Sequence, residues 1–279
     1  MVTPYSTQTV LSFVRSLLER KLKSPLVIGL SGPQGSGKSS VVKAVANELR
    51  TASKLNVVEF SLDDCYLTHE DQVKLAATGN TLVSQRGLPG THDIPLCVDT
   101  LKSLINQQAT DVPQYDKSAF SGQGDRVPRS EYIKTTPPYD VILFEGWCVG
   151  FTSVNDGELE ERWNDSKGPL KRHRLDHAKY VNDQLKQYDD IWNMFDGFVH
   201  LDAESISYVY DWRLQQEHGL IREKGSGMTD DQVRAFVDGY MPAYELYNDR
   251  LRAHKGLPSI PHLRVTLNKN RQPVTSMKL

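Results

Sequence analysis

The sequence predicts an α/β fold in which a mainly parallel central sheet is flanked by helices. Three observations indicate it. Short, continuous apolar runs recur along the 279 residues, and helical apolar patterns separate them. The first run, 25–30, leads directly into a glycine-rich segment and then a helical pattern. Continuous β-branched runs are typical of strands buried on both faces, and strands that alternate with helices form crossover connections in a parallel sheet.

The elements follow one another in a regular order. Strands are expected at residues 25–30, 56–64, 140–144 and 197–201. Helices are expected at residues 38–49, 170–192, 205–218 and 229–254. The final segment, 262–277, alternates only weakly between apolar and polar residues, which predicts an edge strand or a hairpin.

The first 24 residues are predicted to form an N-terminal helix. Val10, Val14 and Leu17 fall on one helical face, which favours a structural helix that docks on the domain. A mitochondrial presequence is the alternative, but Glu19 argues against it because such leaders are poor in acidic residues.

Two glycine- and proline-rich stretches, 68–93 and 120–138, interrupt this order. Long irregular insertions in a compact α/β domain are often binding loops or lids. We therefore expect one domain over residues 1–279 that carries a lid and acceptor-binding insertions.

Composition excludes several classes of protein. Lys and Arg number 33 and Asp and Glu 35, a net charge of −2, which argues against a dedicated nucleic-acid binder. Three cysteines cannot build a disulfide scaffold, and none are spaced as a zinc pair. Since there is neither a long apolar run nor a secretory signal, we expect a cytoplasmic protein without membrane contact.

The strongest chemical signal is the string GPQGSGKS, which fits G-x-x-x-x-G-K-[ST] and joins a predicted buried strand to a predicted helix. Glycines let backbone N–H groups turn toward a phosphate, and the helix N-terminus favours negative charge. The motif predicts a P-loop NTPase fold that binds ATP and Mg²⁺, with Ser39 as a metal ligand. The nucleotide-binding residues are predicted to be Gly32, Pro33, Gln34, Gly35, Ser36, Gly37, Lys38, Ser39 and Ser40.

Acidic residues at strand ends favour a kinase over a switch protein. The guanine signature N-K-x-D is missing, since 268–271 reads NKNR. Asp63 and Asp64 end the second predicted strand, and Glu145 directly follows the third. In parallel sheets such ends face the ligand crevice, where a carboxylate can accept a hydroxyl proton or join the metal shell. Each could instead be an ordinary cap or solvated side chain.

Longer blocks resemble a known family. The strings GPQGSGKS, SLDDCYLT, QRGLPGTHD, PQYDKSAFSGQGDR, VILFEGWCVGF, WRLQQE and GMTDDQVRAFVDGYMPAYE are similar to the plant and fungal D-glycerate 3-kinase family. That family is related to phosphoribulokinase, uridine kinase and bacterial pantothenate kinase. The likeness runs from about Pro25 to Tyr247.

The resemblance implies roles for individual residues. It implies that Asp63 is the base, that Glu145 lies on the metal side, and that Arg213 is a lid residue near the transferring phosphoryl group. It also implies that Asp93, Tyr115 and Lys117 approach the acceptor. Cys65 departs from the pattern, which more often has an aromatic residue there, so packing near the second strand is in question.

An anionic acceptor such as glycerate would need a cationic clamp, for which Arg86, Lys117 and Arg126 are candidates. Asp64, His92 and Asp93 complete the predicted acceptor set. Each of the three cations Arg86, Lys117 and Arg126 could equally be a surface charge. Arg213 could be a plain helix-surface arginine, and His92 an ordinary loop residue.

These observations predict an ATP-dependent kinase of a small metabolite, with D-glycerate the first acceptor to test. The alternatives are a kinase of pantothenate, a nucleoside or a sugar phosphate, or a non-catalytic ATP-binding regulator. We expect a monomer or small homo-oligomer.

Overall fold

A computed structural model describes residues 4–20, 23–257 and 259–279. The helices are α1 Pro4–Glu19, α2 Lys38–Thr51, α3 His69–Ala76, α4 Ile94–Ile105, α5 Asp156–Asp165, α6 Leu175–Leu185, α7 Asp189–Trp192, α8 Tyr208–Lys224, α9 Asp230–Asp238 and α10 Met241–Arg252. The strands are β1 Leu26–Ser31, β2 Val57–Ser61, β3 Thr110–Val112, β4 Tyr115–Asp116, β5 Asp125–Arg126, β6 Ile133–Thr135, β7 Val141–Gly146, β8 Gly197–Ala203, β9 His262–Leu267 and β10 Pro273–Lys278.

A six-stranded sheet forms the centre, in the order β10-β9-β8-β1-β7-β2. Five of its strands run parallel to one another, namely β1, β2, β7, β8 and β9. The sixth, β10, runs antiparallel to β9. The predicted mainly parallel sheet is therefore confirmed. The final segment, predicted as an edge strand or a hairpin, is a hairpin in which β9 lies beside β8 and β10 forms the edge of the sheet.

Apolar side chains alternate between the two faces of the sheet, as strand geometry requires. On β1, Ile28 packs into the cluster under α1 and α2, whereas Val27 packs into the cluster on the other face. That second cluster holds most of the large aromatic side chains. Helices thus cover both faces, which is why the strands read as continuous apolar runs.

Several predicted boundaries are wrong. The predicted strand 56–64 ends at Ser61, whose hydroxyl accepts the Asp63 N–H at 3.2 Å and starts one 3₁₀ turn. The predicted helix 170–192 is divided into a 3₁₀ turn at Pro169–Arg172, helix α6, a second 3₁₀ turn at Lys186–Tyr188 and helix α7. The predicted helix 229–254 breaks after Asp238, and Pro242 lies in the first turn of α10, where it needs no N–H partner.

Other boundaries shift by a few residues. Helix α8 begins at Tyr208 instead of 205 and continues past 218 to Lys224. Gly225, with a φ of 78° in the left-handed conformation, caps its C-terminus. Strand β8 extends to Ala203. The predicted N-terminal helix is observed over Pro4–Glu19, while residues 1–3 and 21–22 of that prediction lie outside the described residues.

The two predicted insertions contain short elements of their own. Segment 68–93 begins with α3, and segment 120–138 contains β5 and β6, which pair with β4 and β3 in two small ladders. Among the residues that the structure describes, no helix combines the length and apolarity needed to cross a bilayer.

The register of the sheet brings three chain segments to one edge. In the parallel ladders, Leu30 pairs with Glu145 and Ser61 pairs with the same residue. The carboxyl ends of the adjacent strands β1, β7 and β2 therefore lie side by side. The glycine-rich segment follows β1, Glu145 lies near the end of β7, and the turn that carries Asp63 follows β2. In open α/β sheets this edge is where ligands bind.

Candidate active site

The glycine-rich segment 32–37 forms a tight loop between β1 and the N-terminus of α2. Gly35 and Gly37 have φ angles of 77° and 90°, which favour glycine strongly. A Cβ on Gly35 would lie 2.6 Å from the Cβ of Trp212 on α8, so no side chain fits there. No side chain therefore covers the backbone of the loop, which lies at the N-terminus of a 14-residue helix, where the helix dipole is positive. This arrangement is suited to binding phosphate.

Two residues that the sequence analysis did not assign hold this loop from outside. The Tyr244 hydroxyl of α10 donates to Oε1 of Gln34. The Arg271 Nε, in the turn between β9 and β10, donates to the Gly35 carbonyl at 2.6 Å. Tyr244 lay inside a block that resembled the kinase family, whereas no sequence signal indicated Arg271.

Lys38, Ser39 and Glu145 meet beside the loop. The Ser39 hydroxyl donates to Glu145 Oε1 at 2.8 Å, and Lys38 Nζ lies 3.8 Å from Oε2. The second carboxylate oxygen is buried and has no hydrogen-bond partner among the described residues. Ser40, next along α2, is exposed.

A Mg²⁺ ion fits the donors at this point. Hydroxyl and carboxylate oxygens are the ligands it prefers, and it commonly takes only one or two from protein beside phosphate and water. Within the described ranges, no group of three or more His, Cys, Asp or Glu residues is arranged to hold a metal. Ser39 and Glu145 would hold the ion.

Asp63 forms an ion pair with Lys117. The Lys117 ammonium donates to Asp63 Oδ2 at 2.6 Å, while Oδ1 is buried without a hydrogen-bond partner in the described chain. Burial raises the pKa of Asp63, but the positive charges of Lys117 and Lys38 outweigh it and lower the pKa to about 2. Asp63 is therefore ionised at neutral pH, with one oxygen unused.

Asp64, the next residue, has the opposite electrostatic environment. Burial and the negative charge of Asp63 raise the pKa of Asp64 to about 7, although its Oδ1 accepts the Tyr115 N–H at 3.3 Å. The pKa values of these two neighbouring carboxyls thus lie far apart, a pattern typical of functional sites.

Arg126 and Asp93 form a second ion pair near the site. Arg126 Nη2 lies 3.1 Å from Asp93 Oδ2 and donates to the Tyr66 carbonyl at 3.0 Å. Asp93 Oδ1 caps helix α4 by accepting the Leu96 N–H at 3.0 Å. Both oxygens of Asp93 are engaged, so its first task is to anchor the loop, which sequence reasoning did not anticipate.

Arg86 binds backbone. Its guanidinium donates to the carbonyls of Gly122, at 2.7 Å, and of Gln123. It therefore joins the insertion 68–93 to the insertion 120–138, and its charge is 5.7 Å from the Tyr115 ring centre.

His92 is a buried, neutral ring. It stacks on Tyr66 with 4.4 Å between ring centres, and its Nδ1 lies 2.7 Å from the Tyr188 hydroxyl. Burial lowers the pKa of His92 to about 4. The family difference at Cys65 is accommodated by full burial of the thiol against Cys97.

Arg213 lies on α8, one residue after the Trp212 that packs on the loop. Its Nη1 donates to Gln216 Oε1 at 2.5 Å, Nη2 is 3.7 Å from Glu217, and the guanidinium lies 5.0 Å from the Phe236 ring centre. Its Nε is buried without a partner among the described residues, and burial lowers the pKa of Arg213. The side chain is thus held by α8 and α9 in this conformation.

Comparisons with known proteins agree with this geometry. The model for the ATPase family associated with various cellular activities (AAA) matches residues 28–115, which include the glycine-rich loop and Asp63. An uncharacterized kinase of Schizosaccharomyces pombe is 40% identical over 96% of this chain and 98% of its own length. A probable ATP-dependent kinase of Saccharomyces cerevisiae is 41% identical over 97% of this chain and 94% of its own length.

A solved structure decides the family. The D-glycerate 3-kinase from Cryptococcus neoformans superposes with a TM-score of 0.91 at 36% identity, covering 99% of this chain and all of that one. The chain belongs to the D-glycerate 3-kinase family.

Membership of the D-glycerate 3-kinase family fits the structure described above. The chain is a P-loop kinase, and its fold is the one that the glycine-rich motif predicted. The residues predicted for nucleotide, metal and acceptor lie along one edge of the sheet or in the loops pinned above it. Their individual roles are considered next.

Proposed function

We propose that this kinase transfers the γ-phosphoryl group of ATP to a hydroxyl of D-glycerate. One observation carries the proposal: an ionised carboxylate, Asp63, is paired with a cation, Lys117, at the same sheet edge as the phosphate loop. A carboxylate can take a hydroxyl proton, and a neighbouring ammonium can bind the carboxylate of the acceptor. An acid that carries hydroxyls supplies both groups.

Each step of the phosphoryl transfer can be assigned to residues of this chain. Loop amides and Lys38 bind the ATP phosphates, and a Mg²⁺ ion held by Ser39 and Glu145 would neutralise charge on them. Asp63 Oδ1 receives the proton of the acceptor hydroxyl as the bond to the phosphoryl group forms and the bond to ADP breaks. Lys38 and Arg213 balance the charge that spreads over the transferring group.

Arg213 is assigned this role because of its position on α8. Its unpaired Nε and its place beside Trp212, which contacts the loop, support a function over the phosphates. When α8 closes, the guanidinium would exclude water from the γ-phosphate and limit wasteful hydrolysis of ATP.

Acceptor recognition falls to the segment that contains Tyr115 and Lys117 and to the insertions on either side of it. Lys117 is more than half exposed and free to turn from Asp63 toward an anion, whereas Arg126 and Arg86 are engaged with Asp93 and with backbone. We therefore assign the carboxylate of the acceptor to Lys117 and the ordering of the surrounding loops to the two arginines. Tyr115, whose hydroxyl is buried and unpaired within the described chain, would contact the acceptor.

The cysteines indicate the cellular setting. The three cysteines are free and buried, which fits a reducing compartment, so we propose a cytoplasmic enzyme. We propose a monomer or small homo-oligomer whose partner is a small-molecule acceptor.

A screen of acceptors tests the proposal. ADP release from MgATP is followed with D-glycerate, L-glycerate, pantothenate, nucleosides and pentose phosphates, each at several concentrations. We expect D-glycerate to give the highest kcat/KM, and the product to carry phosphate on its 3-hydroxyl by NMR. A higher kcat/KM with any other acceptor would refute the choice of D-glycerate, and no stimulation by any acceptor would favour the ATP-binding regulator.

A further inference from the structure

The turn between β9 and β10 is rigidly built. Asn268 accepts the N–H groups of Asn270 and Gln272 through its Oδ1, at 2.9 and 3.0 Å, and its carbonyl accepts the Arg271 N–H at 2.9 Å. Arg271 has a φ of 59°, a left-handed conformation that is uncommon for residues other than glycine. The turn therefore presents the Arg271 side chain from a fixed backbone.

The guanidinium of Arg271 joins two elements that are far apart in sequence. Its Nε donates to the Gly35 carbonyl at 2.6 Å, and its Nη1 donates to Gln215 Oε1 on α8 at 2.7 Å. Its Nη2 lies 3.4 Å from the Trp212 carbonyl, and its centre lies 5.3 Å from the ring of Trp212. One planar group thus links the phosphate loop to the first turns of α8.

The Gly35 carbonyl has an orientation that matters for anions. Because glycine lacks a Cβ, the peptide after it can rotate easily, and an inward carbonyl would present negative charge to a phosphate. The hydrogen bond from Arg271 turns that oxygen toward the turn between β9 and β10. A guanidinium makes such a fixed fork of bonds, which an ammonium cannot reproduce.

We propose that Arg271 is a positioning residue of the phosphate site, which holds the Gly35 carbonyl outward and fixes the loop against α8. This inference rests on the phosphate loop named under the proposed function and is independent of the acceptor. It adds a second task for α8, since Arg213 is carried by the same turn of helix that Arg271 binds through Trp212 and Gln215.

Binding of three probes tests the proposal. Dissociation constants for pyrophosphate, ADP and ATP, each with Mg²⁺, are measured by calorimetry for wild type, R271M and R271K. K269M is the matched control, since Lys269 lies in the same turn but pairs with the partly exposed Asp211 at 2.7 Å. We expect R271M and R271K to raise all three constants alike, by about tenfold for the loss of a charge-assisted hydrogen bond, and K269M to leave them unchanged.

Each other result would overturn the proposal in a distinguishable way. A loss for ATP and ADP but not pyrophosphate would place Arg271 on the nucleoside, and a loss for ATP alone would place it on the γ-phosphate. Wild-type constants in R271K would show that charge alone matters. If a variant only lowers the melting temperature, leaving the constants of the folded protein unchanged, the role is merely structural.

Two further controls keep the test decisive. If R271M does not fold, Q215A removes one of the three contacts and should raise all three constants by a smaller common factor; unchanged constants in Q215A would then contradict the proposal. If wild-type protein binds none of the probes, the phosphate site of the proposed function fails, whatever Arg271 does.

Discussion

At the scale of single residues, the adjacent carboxyls of Asp63 and Asp64 have very different pKa values. Lys117 and Lys38 lower the pKa of Asp63 to about 2 against the effect of burial, whereas burial and Asp63 together raise the pKa of Asp64 to about 7. The same turn thus contains a permanent carboxylate and a group that changes charge near neutral pH. The two residues should therefore behave differently when substituted.

Loss of the base or the phosphate lysine should abolish turnover without unfolding the protein. Asp63→Asn removes the proton acceptor and Lys38→Ala the cation at the phosphates, and we expect kcat to fall by at least about 10²-fold in each. Asp99→Asn and Lys43→Ala, exposed residues on α4 and α2, serve as matched controls. Near-normal kcat in either site variant would remove the role proposed for that residue.

Asp64→Asn should stabilise the fold, and only at higher pH. Because the folded-state pKa of Asp64 is raised above its ordinary 3.8, the folded state prefers the neutral acid. That stability is fully present below about pH 3.8 and is lost as pH rises through about 7. Asparagine stays neutral, so at pH 8 the variant should exceed wild type by about 2 kcal/mol in the free energy of unfolding, allowing for partial solvent access.

Urea denaturation at a series of pH values between 4 and 8.5 checks this. The difference between Asp64→Asn and wild type should vanish toward pH 4, whereas Asp99→Asn, which is exposed, should show no such trend. A difference that stays constant across the series would mean that Asp64 is ionised in the folded protein throughout.

The carboxylate of Glu145 should set the demand for magnesium. Glu145→Gln keeps an acceptor for the Ser39 hydroxyl but removes the negative charge beside Lys38. We expect the Mg²⁺ concentration for half-maximal activity to rise about tenfold, with a smaller change in kcat at saturating Mg²⁺. Titration at fixed ATP measures it, and an unchanged midpoint would place the metal elsewhere.

At the scale of elements, helix α8 connects the phosphate loop with Arg213. Arg213 is held by Gln216 on its own helix and lies over Phe236 of α9, while Trp212 closes against Gly35. Helix α8 can place the Arg213 guanidinium over the phosphates only if the position of the helix against the loop is fixed. The contribution of Arg213 should accordingly appear in turnover more than in binding.

Arg213→Met should lower kcat by about 10²- to 10³-fold, less than a fully desolvated arginine finger achieves, while KM for ATP changes little. The methionine fills most of the space over Phe236, so the helix should stay folded. Arg222→Met, an exposed arginine on the same helix, is the matched control. If kcat is unchanged and only KM rises, Arg213 serves ground-state binding of the nucleotide.

Periodicity and motif predicted part of this element structure. The strand runs and the glycine-rich loop were found because buried parallel strands and phosphate loops leave continuous local signals. The break between α9 and α10 was missed, although Pro242 marked it, because the apolar pattern continues across it. The contact of Arg271 with the phosphate loop could not be predicted from the sequence. Its partner Gly35 is more than 200 residues away, and a hydrogen bond from a side chain to a carbonyl leaves no pattern in the sequence.

At the scale of the whole molecule, the sheet separates the chemistry from a supporting layer. Helices α1 and α2 cover one face, where Leu17, Val14 and Val45 are buried in a cluster of their own. The large aromatic cluster and the insertions occupy the other face, while the site lies at the carboxyl edge between them. The amphipathic N-terminal segment predicted this docking, because only one of its faces was apolar.

The separation predicts that the α1 layer contributes to stability and not to the site. Leu17→Ala removes a side chain that is 1% exposed and packs against Gly197 of β8. We expect the free energy of unfolding to fall by roughly 2–4 kcal/mol because a cavity forms in the core. Leu18→Ala, the less buried neighbour on the same helix, should cost less than half as much.

Both variants should keep wild-type kcat and KM for ATP at temperatures where they remain folded. Urea denaturation gives the stability and the ADP-release assay gives the activity on the same samples. A large fall in kcat for Leu17→Ala at full folding would show that α1 communicates with the phosphate loop through β1 and α2. In that case the two faces of the sheet would form one cooperative active unit, and the supporting layer would have to be counted as part of the kinase machinery.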